Sequence, residues 1–145
     1  NAALTVLAML ADHSVTLCDL DNQIDVQAWR MMEVHSAPFE SADFILATAG
    51  TSAPDRHPCL GTIEGPDEGA TLVLSDACFG TGSLQLSFTG PGIRNQTSLT
   101  VDGLHPSWLE RRMAWTANFP LGVEMIVTSS SQLIYVPRTT YITWI

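Results

Sequence analysis

The sequence predicts one ordered domain that mixes helices and strands, and three observations carry that reading. The chain has 145 residues, and a domain of this size buries about 68–70% of the surface its unfolded chain exposes. Hydrophobic residues make up 46% and charged residues only 14%, which is the composition of a protein with a packed core and not of a disordered segment. The hydrophobic pattern also changes along the chain, from helical spacing near the start to short apolar runs with strand character beyond it.

Leu4, Leu7, Ala8 and Ala11 recur at i, i+3, i+4 and i+7, so the first element is an amphipathic helix over residues 1–12. The chain opens on Asn1 at or inside this helix, and a further N-terminal segment is expected. The apolar run from Ala2 to Ala11 is ten residues long where a membrane span needs about twenty, and no basic residue precedes it. Val15 to Cys18 reads as a short strand. The polar run from Asp19 then ends on Asn22, a residue suited to capping a helix whose stripe is Ile24, Ala28 and Met31 and which stops before Pro38. Phe44 to Ala47 suits a buried strand, and residues 50–69, rich in proline and glycine, form a long loop.

Thr71 to Leu74 and Leu84 to Phe88 are expected to pair as an antiparallel hairpin through the glycine turn Gly80-Thr81-Gly82-Ser83. Pro106 to Thr116 predicts a helix with proline in its first turn and with Trp108, Leu109 and Met113 on one face. A second hairpin joins Val123–Val127 to Leu133–Val136 across a serine-rich turn, and a strand from Tyr141 to Ile145 closes the chain.

Charge and composition exclude several functions. Six basic against fifteen acidic side chains give a net charge of -9, which repels nucleic-acid backbones and anionic membrane surfaces alike. All six cations are arginines, and the chain contains no lysine. A Schiff base with pyridoxal phosphate, a P-loop clamp and the phosphate-pairing lysine of a kinase each need an ε-amine, so none of them can be built from these residues. Cys18, Cys59 and Cys78 are odd in number and contain no C-x-x-C pair, which argues for reduced thiols and against a disulfide framework, a zinc knuckle or an iron–sulfur cluster.

His13, His35, His57 and His105 lack metal-ligand spacing, and no metal is expected. The carboxylate pairs Asp19/Asp21 and Asp67/Glu68 lie in polar turns, where solvent keeps them ordinary acids. Gly80-Thr81-Gly82 lacks the third glycine and following helix of a dinucleotide fingerprint. Pro137-Arg138-Thr139-Thr140 is the most suggestive stretch: a fixed φ, a guanidinium fork and two hydroxyls could hold an anion. The alternative is a structural pairing of Arg138 with Glu124 or Asp102.

Four motifs then stand in order: Gly69-Ala70-Thr71-Leu72-Val73-Leu74, Leu86-Ser87-Phe88-Thr89-Gly90-Pro91-Gly92-Ile93, Phe119-Pro120-Leu121-Gly122-Val123-Glu124 and Ile134-Tyr135-Val136-Pro137-Arg138-Thr139-Thr140. Together they resemble the H subunit of the bacterial carbon–phosphorus lyase core complex, over nearly the whole chain and least between Gly50 and Asp67. The sequence departs from that family at Glu124, where aspartate is usual. The resemblance implies an α/β fold, a three-layer αβα sandwich like that of pyridoxal-phosphate-dependent transferases, without the cofactor site and therefore with no cofactor. It implies a cytoplasmic homodimer that joins the G, I and J subunits as an accessory, non-catalytic subunit. There, alkylphosphonate is transferred to the ribose triphosphate of ATP before its carbon–phosphorus bond is cleaved. Gly90, Pro91, Gly92, Pro120, Gly122, Pro137, Arg138, Thr139 and Thr140 are its motif positions, with turn geometry the simplest use of the glycines and of Pro120. Trp108, Trp115 and Trp144 are candidate interface anchors, with core packing the alternative for each. From a different class, a stand-alone phosphonate- or nucleotide-binding transferase would use Arg138, Thr139 and Thr140 on its substrate.

Overall fold

A computed structural model describes residues 2–145. The helix α1 (Ala2–Leu10) is followed by β1 (Thr16–Asp19), α2 (Val26–Met32), β2 (His35–Ser36) and β3 (Phe44–Thr48). After a long loop and a short 3-10 turn (Pro66–Glu68) come β4 (Thr71–Ser75), β5 (Cys78–Thr89) and β6 (Thr97–Asp102). The chain ends with α3 (Ser107–Trp115), β7 (Glu124–Thr128), β8 (Leu133–Val136) and β9 (Tyr141–Trp144). Asn1, placed in the first helix by the sequence, lies outside the described residues.

Six strands form a mixed sheet in the order β2-β1-β3-β4-β7-β8, parallel except for the edge pair β7/β8. A second, antiparallel sheet has the order β6-β5-β9. Alternation along the central strands divides the core between the two faces of the large sheet. Leu46, Val73 and Ile126 point to α1 and α2, where they meet Ala3, Val6, Leu7 and Met32. Ile45, Leu72, Leu74, Met125 and Val127 point the other way, to α3 and the small sheet. The fold is therefore α/β, but its third layer is an antiparallel sheet with one helix, where the αβα expectation had helices alone.

Other expectations need correction. The stretch Thr71–Ser75 does not pair with Leu84–Phe88: β4 lies between β3 and β7, in parallel with both, and β5 belongs to the other sheet. Asp76, at φ 64°, turns the chain out of the large sheet directly after β4. Gly80 to Ser83 is then not a hairpin turn but the register break inside β5, between Phe79 and Leu84. The second helix is capped by Asp25, whose carboxylate accepts from Ala28 N at 2.7 Å, and not by Asn22. Its inward residue is Met32, with Met31 77% exposed. The buried stripe of α1 is Ala3, Val6 and Leu7 and includes neither Leu4 nor Ala8. In α3, Trp108 and Leu109 are buried as expected, but Met113 is 60% exposed and the stripe continues through Arg112 and Trp115.

Two of the three tryptophans proposed as anchors lie inside this chain. Trp108 is 0% and Trp115 2% exposed, and Trp108 donates its indole N–H to Thr51 O at 2.8 Å. Neither can meet a partner in this fold, whereas Trp144 is half-buried on β9. The exposed apolar surface lies elsewhere, where Met9 and Leu10 of α1 stand beside Leu133 and Tyr135 of the edge strand β8, around a groove of about 460 Å³. Truncating the buried indole, Trp108→Ala, should cost about 3–5 kcal/mol of stability by urea unfolding. Met113→Ala should stay within about 0.5 kcal/mol of the parent in the same measurement.

Candidate functional site

Three of the four family motifs meet at Glu124, the first residue of β7, and the other, Leu86–Ile93, reaches them through the approach of Gly90 to Thr139. The Glu124 backbone is held in the sheet by donation to Ala70 O at 3.1 Å, directly before β4. Its carboxylate accepts three bonds: from Arg138 N at 2.8 Å, Arg138 Nε at 2.6 Å and Tyr135 Oη at 3.2 Å. Of the two partners left open by the sequence, Arg138 takes Glu124; Asp102 instead accepts from the backbone N–H of Gly103.

Arg138 also donates through Nη1 to the carbonyls of Pro120, at 3.1 Å, and Pro66. One guanidinium thus joins the 3-10 turn before β4, the loop before β7 and the turn after β8. A planar fork with donors in fixed directions can make these bonds at once, which a lysine ammonium on its flexible stem cannot do with the same geometry. The ion pair is mostly withdrawn from solvent, with side-chain exposures of 12% and 18%.

A second arginine, which the sequence reading did not single out, lies beside the first. Arg112 of α3 is only 3% exposed. It pins the turn Pro137–Thr140, closed by Thr140 N to Pro137 O at 2.9 Å. Nη2 donates to Pro137 O at 2.7 Å, and both Nη1 and Nη2 donate to Thr140 O at 3.2 Å. Its Nε is buried without a partner among the described residues. Burial pushes the guanidinium down to about 10, opposed by the negative charge of Glu124, and it remains a cation at neutral pH. Burial, followed by the same carboxylate, raises the Tyr135 phenol.

The motif glycines make room for this assembly. A side chain on Gly122, at φ 146°, would meet Thr116 Cγ2 at 2.9 Å, and one on Gly90, at φ 147°, would meet Thr139 O at 2.9 Å. Pro91 and Gly92 occupy the middle of a turn closed by Ile93 N to Gly90 O at 3.1 Å, and Pro120 follows a cis peptide bond. Gly90, Gly122, Pro120, Pro137, Arg138, Thr139 and Thr140 are thus brought together, with Pro91 and Gly92 at the margin.

The other chemistry-bearing residues stay apart. Asp19 accepts from Gln23 N and Ile24 N, and Asp21 from Thr48 N, as turn braces. His105 Nδ1 accepts from Ser107 N at 3.2 Å at the start of α3. Among the described residues no group of three or more His, Cys, Asp or Glu side chains could hold a metal ion.

Fold and site together define a lysine-free α/β protein braced by two arginines, Arg138 through the carboxylate of Glu124 and Arg112 through the turn Pro137–Thr140. The chain belongs to the bacterial phosphonate metabolism protein (PhnH) family, whose model matches residues 1–143. It is 39% identical over 142 residues to the putative C-P lyase subunit protein HtxG of Stutzerimonas stutzeri, covering 98% of this chain and 72% of that protein. It is 28% identical over 140 residues to the alpha-D-ribose 1-methylphosphonate 5-triphosphate synthase subunit PhnH of Rhizobium meliloti (strain 1021), covering 88% of this chain and 70% of that one. The family resemblance read from the four motifs holds.

Removing the carboxylate, Glu124→Ala, leaves the largely desolvated Arg138 without its ion-pair partner, and should cost about 3 kcal/mol in urea unfolding. Asp55→Ala should cost less than about 1 kcal/mol, because Asp55, paired with Arg111 at 2.5 Å, is 90% exposed.

Proposed function

We propose that this protein is an accessory, non-catalytic subunit of a carbon–phosphorus lyase complex, supporting transfer of alkylphosphonate to the ribose triphosphate of ATP ahead of bond cleavage. The observation that carries the reading is the similarity over 98% of the chain to a protein described as a C-P lyase subunit. The second relative, described as a subunit of a triphosphate synthase acting on a ribose methylphosphonate, supports the transfer step. In this reading the chain works as a cytoplasmic homodimer with the G, I and J subunits. Among the described residues no helix is long and apolar enough to cross a membrane. Likeness to pyridoxal-phosphate-dependent transferases belongs to the same proposal, and the absence of a lysine for a Schiff base supports only its second part, the loss of the cofactor site.

Such a subunit needs a surface on which to dock, and with Trp108 and Trp115 buried the apolar face of Met9, Leu10, Leu133 and Tyr135 takes their place. A stand-alone transferase using Arg138 as its anion hook is less well supported, because Nε and Nη1 of that guanidinium are committed to Glu124, Pro66 and Pro120.

Size-exclusion chromatography with light scattering, on the chain alone and mixed with the G, I and J subunits, tests the reading. One heavier co-eluting particle is expected. Leu133→Glu, which places a charge on the exposed apolar face, should weaken that association tenfold or more. Separate elution of the unaltered chain would overturn the subunit reading.

A further inference from the structure

The strand β8 ends the large sheet, and only its β7 side is paired. The hydrogen bonds of β7 fix which backbone groups of β8 face outward. Glu124 N donates to Ala70 O, and Thr128 O accepts from Ala77 N. Glu124, Ile126 and Thr128 therefore turn their backbone groups toward the β4 side, away from β8. In an antiparallel pair the residues directly opposite them turn away likewise. Leu133 stands opposite Thr128 and Tyr135 opposite Ile126, so the N–H and C=O of both point to the open edge, unpaired among the described residues. The edge stops at Pro137, which has no N–H and whose carbonyl already accepts from Arg112.

Native sheets blunt such edges with charges, proline or a covering element, because unpaired backbone groups recruit another strand. From Leu133 to Val136 there is no charge, and Leu133 and Tyr135 are 50% and 55% exposed. An apolar groove lies on each side of the strand. The one toward α1, about 460 Å³, has Met9 and Leu10 beside Leu133 and Tyr135; the one toward the small sheet, about 440 Å³, has Phe88 and Ile93 beside Ile134 and Val136. Among the described residues no charged side chain lines either groove. A strand laid along this edge would send successive side chains to opposite faces, and so into the two grooves in turn. The surface therefore selects a continuous apolar run, as in a strand covered on both faces, and not the alternation of a half-exposed one.

We propose that β8 is a strand-addition site, where an extended, uncharged apolar run of about four residues in a partner polypeptide pairs as a seventh strand of the large sheet. The main chain of Leu133 and Tyr135 supplies the bonds, and the two grooves supply the selectivity. The net charge of -9 favours basic residues on either side of that run. The inference rests on the accessory-subunit reading and gives its docking face a mode of recognition.

Amide hydrogen exchange of the full chain, alone and mixed with the G, I and J subunits, tests it. The Leu133 and Tyr135 amides should exchange freely in the chain alone and slow at least about tenfold in the mixture, while those of Ile134 and Val136, which face β7, change less. Leu133→Pro removes an outward donor and no bond to β7, at the first residue of a strand, where proline is tolerated. It should weaken association at least tenfold, with the folded state checked by circular dichroism. Leu133→Val, which keeps the N–H and an apolar side chain, should bind like the parent. Co-elution with both amides unprotected, or association that Leu133→Pro leaves unchanged, would overturn strand addition and leave the subunit reading standing. Separate elution of the unaltered chain would remove both. Protection in the chain alone that grows with its concentration would assign the edge to a second copy and overturn the partner.

Discussion

The carboxylate of Glu124 is the constraint around which the rest of the site is arranged. It stands at the entry to β7, between β4 and β8 in the large sheet, and accepts from Arg138 and Tyr135, which the chain reaches only after turning back along β8. Through Arg138 it also fixes the carbonyls of Pro66 and Pro120. Three loops that would otherwise be joined only by backbone connections are thus held at one point. Pairs so far removed from solvent are screened little by salt, but their desolvation offsets much of the Coulomb attraction. The brace therefore contributes more to the arrangement of these loops than to overall stability.

The strands show where the sequence was legible and where it was not. The pair β7/β8 could be read because a short polar turn separates two apolar runs, and adjacency in sequence was adjacency in space. The same logic failed for β4 and β5. The distinguishing signal was present: Leu72, Val73 and Leu74 are apolar without alternation and all buried, as in a strand covered on both faces, whereas Leu84, Leu86 and Phe88 alternate as in a sheet with one face packed. Two strands with different periodicity belong in different sheets. β6 went unread because Leu99 and Val101 alternate within a polar stretch, and β2 is two residues long.

The helices fail in a different way. Apolar side chains predicted the elements, but the face was off by about one residue, 100° around the axis, at Met31 against Met32 and at Met113 against Arg112. Arg112 was the more informative miss. Trp108, Leu109, Arg112 and Trp115 stand at i, i+1, i+4 and i+7, so a cation occupies the apolar stripe of α3. Its neighbour Arg111, one position earlier, reaches the surface and Asp55. A charged side chain on a buried stripe is a sequence signal for a site, and the adjacent arginine masked it. Arg138 was legible because proline and two threonines set it apart, although the sequence could not choose between Glu124 and Asp102.

What Arg112 does for the turn accounts for only part of its chemistry. Pinning Pro137 and Thr140 requires donors to two carbonyls, and Nη1 and Nη2 supply them. A neutral donor such as glutamine or asparagine would satisfy carbonyls without the desolvation of a full charge. The positive charge and the unpartnered Nε exceed what the turn needs, and burial already works against the charge, as the lowered pKa records. The carbonyls of Pro137 and Thr140 are what hold that charge in the interior, since the one nearby carboxylate is bonded to Arg138.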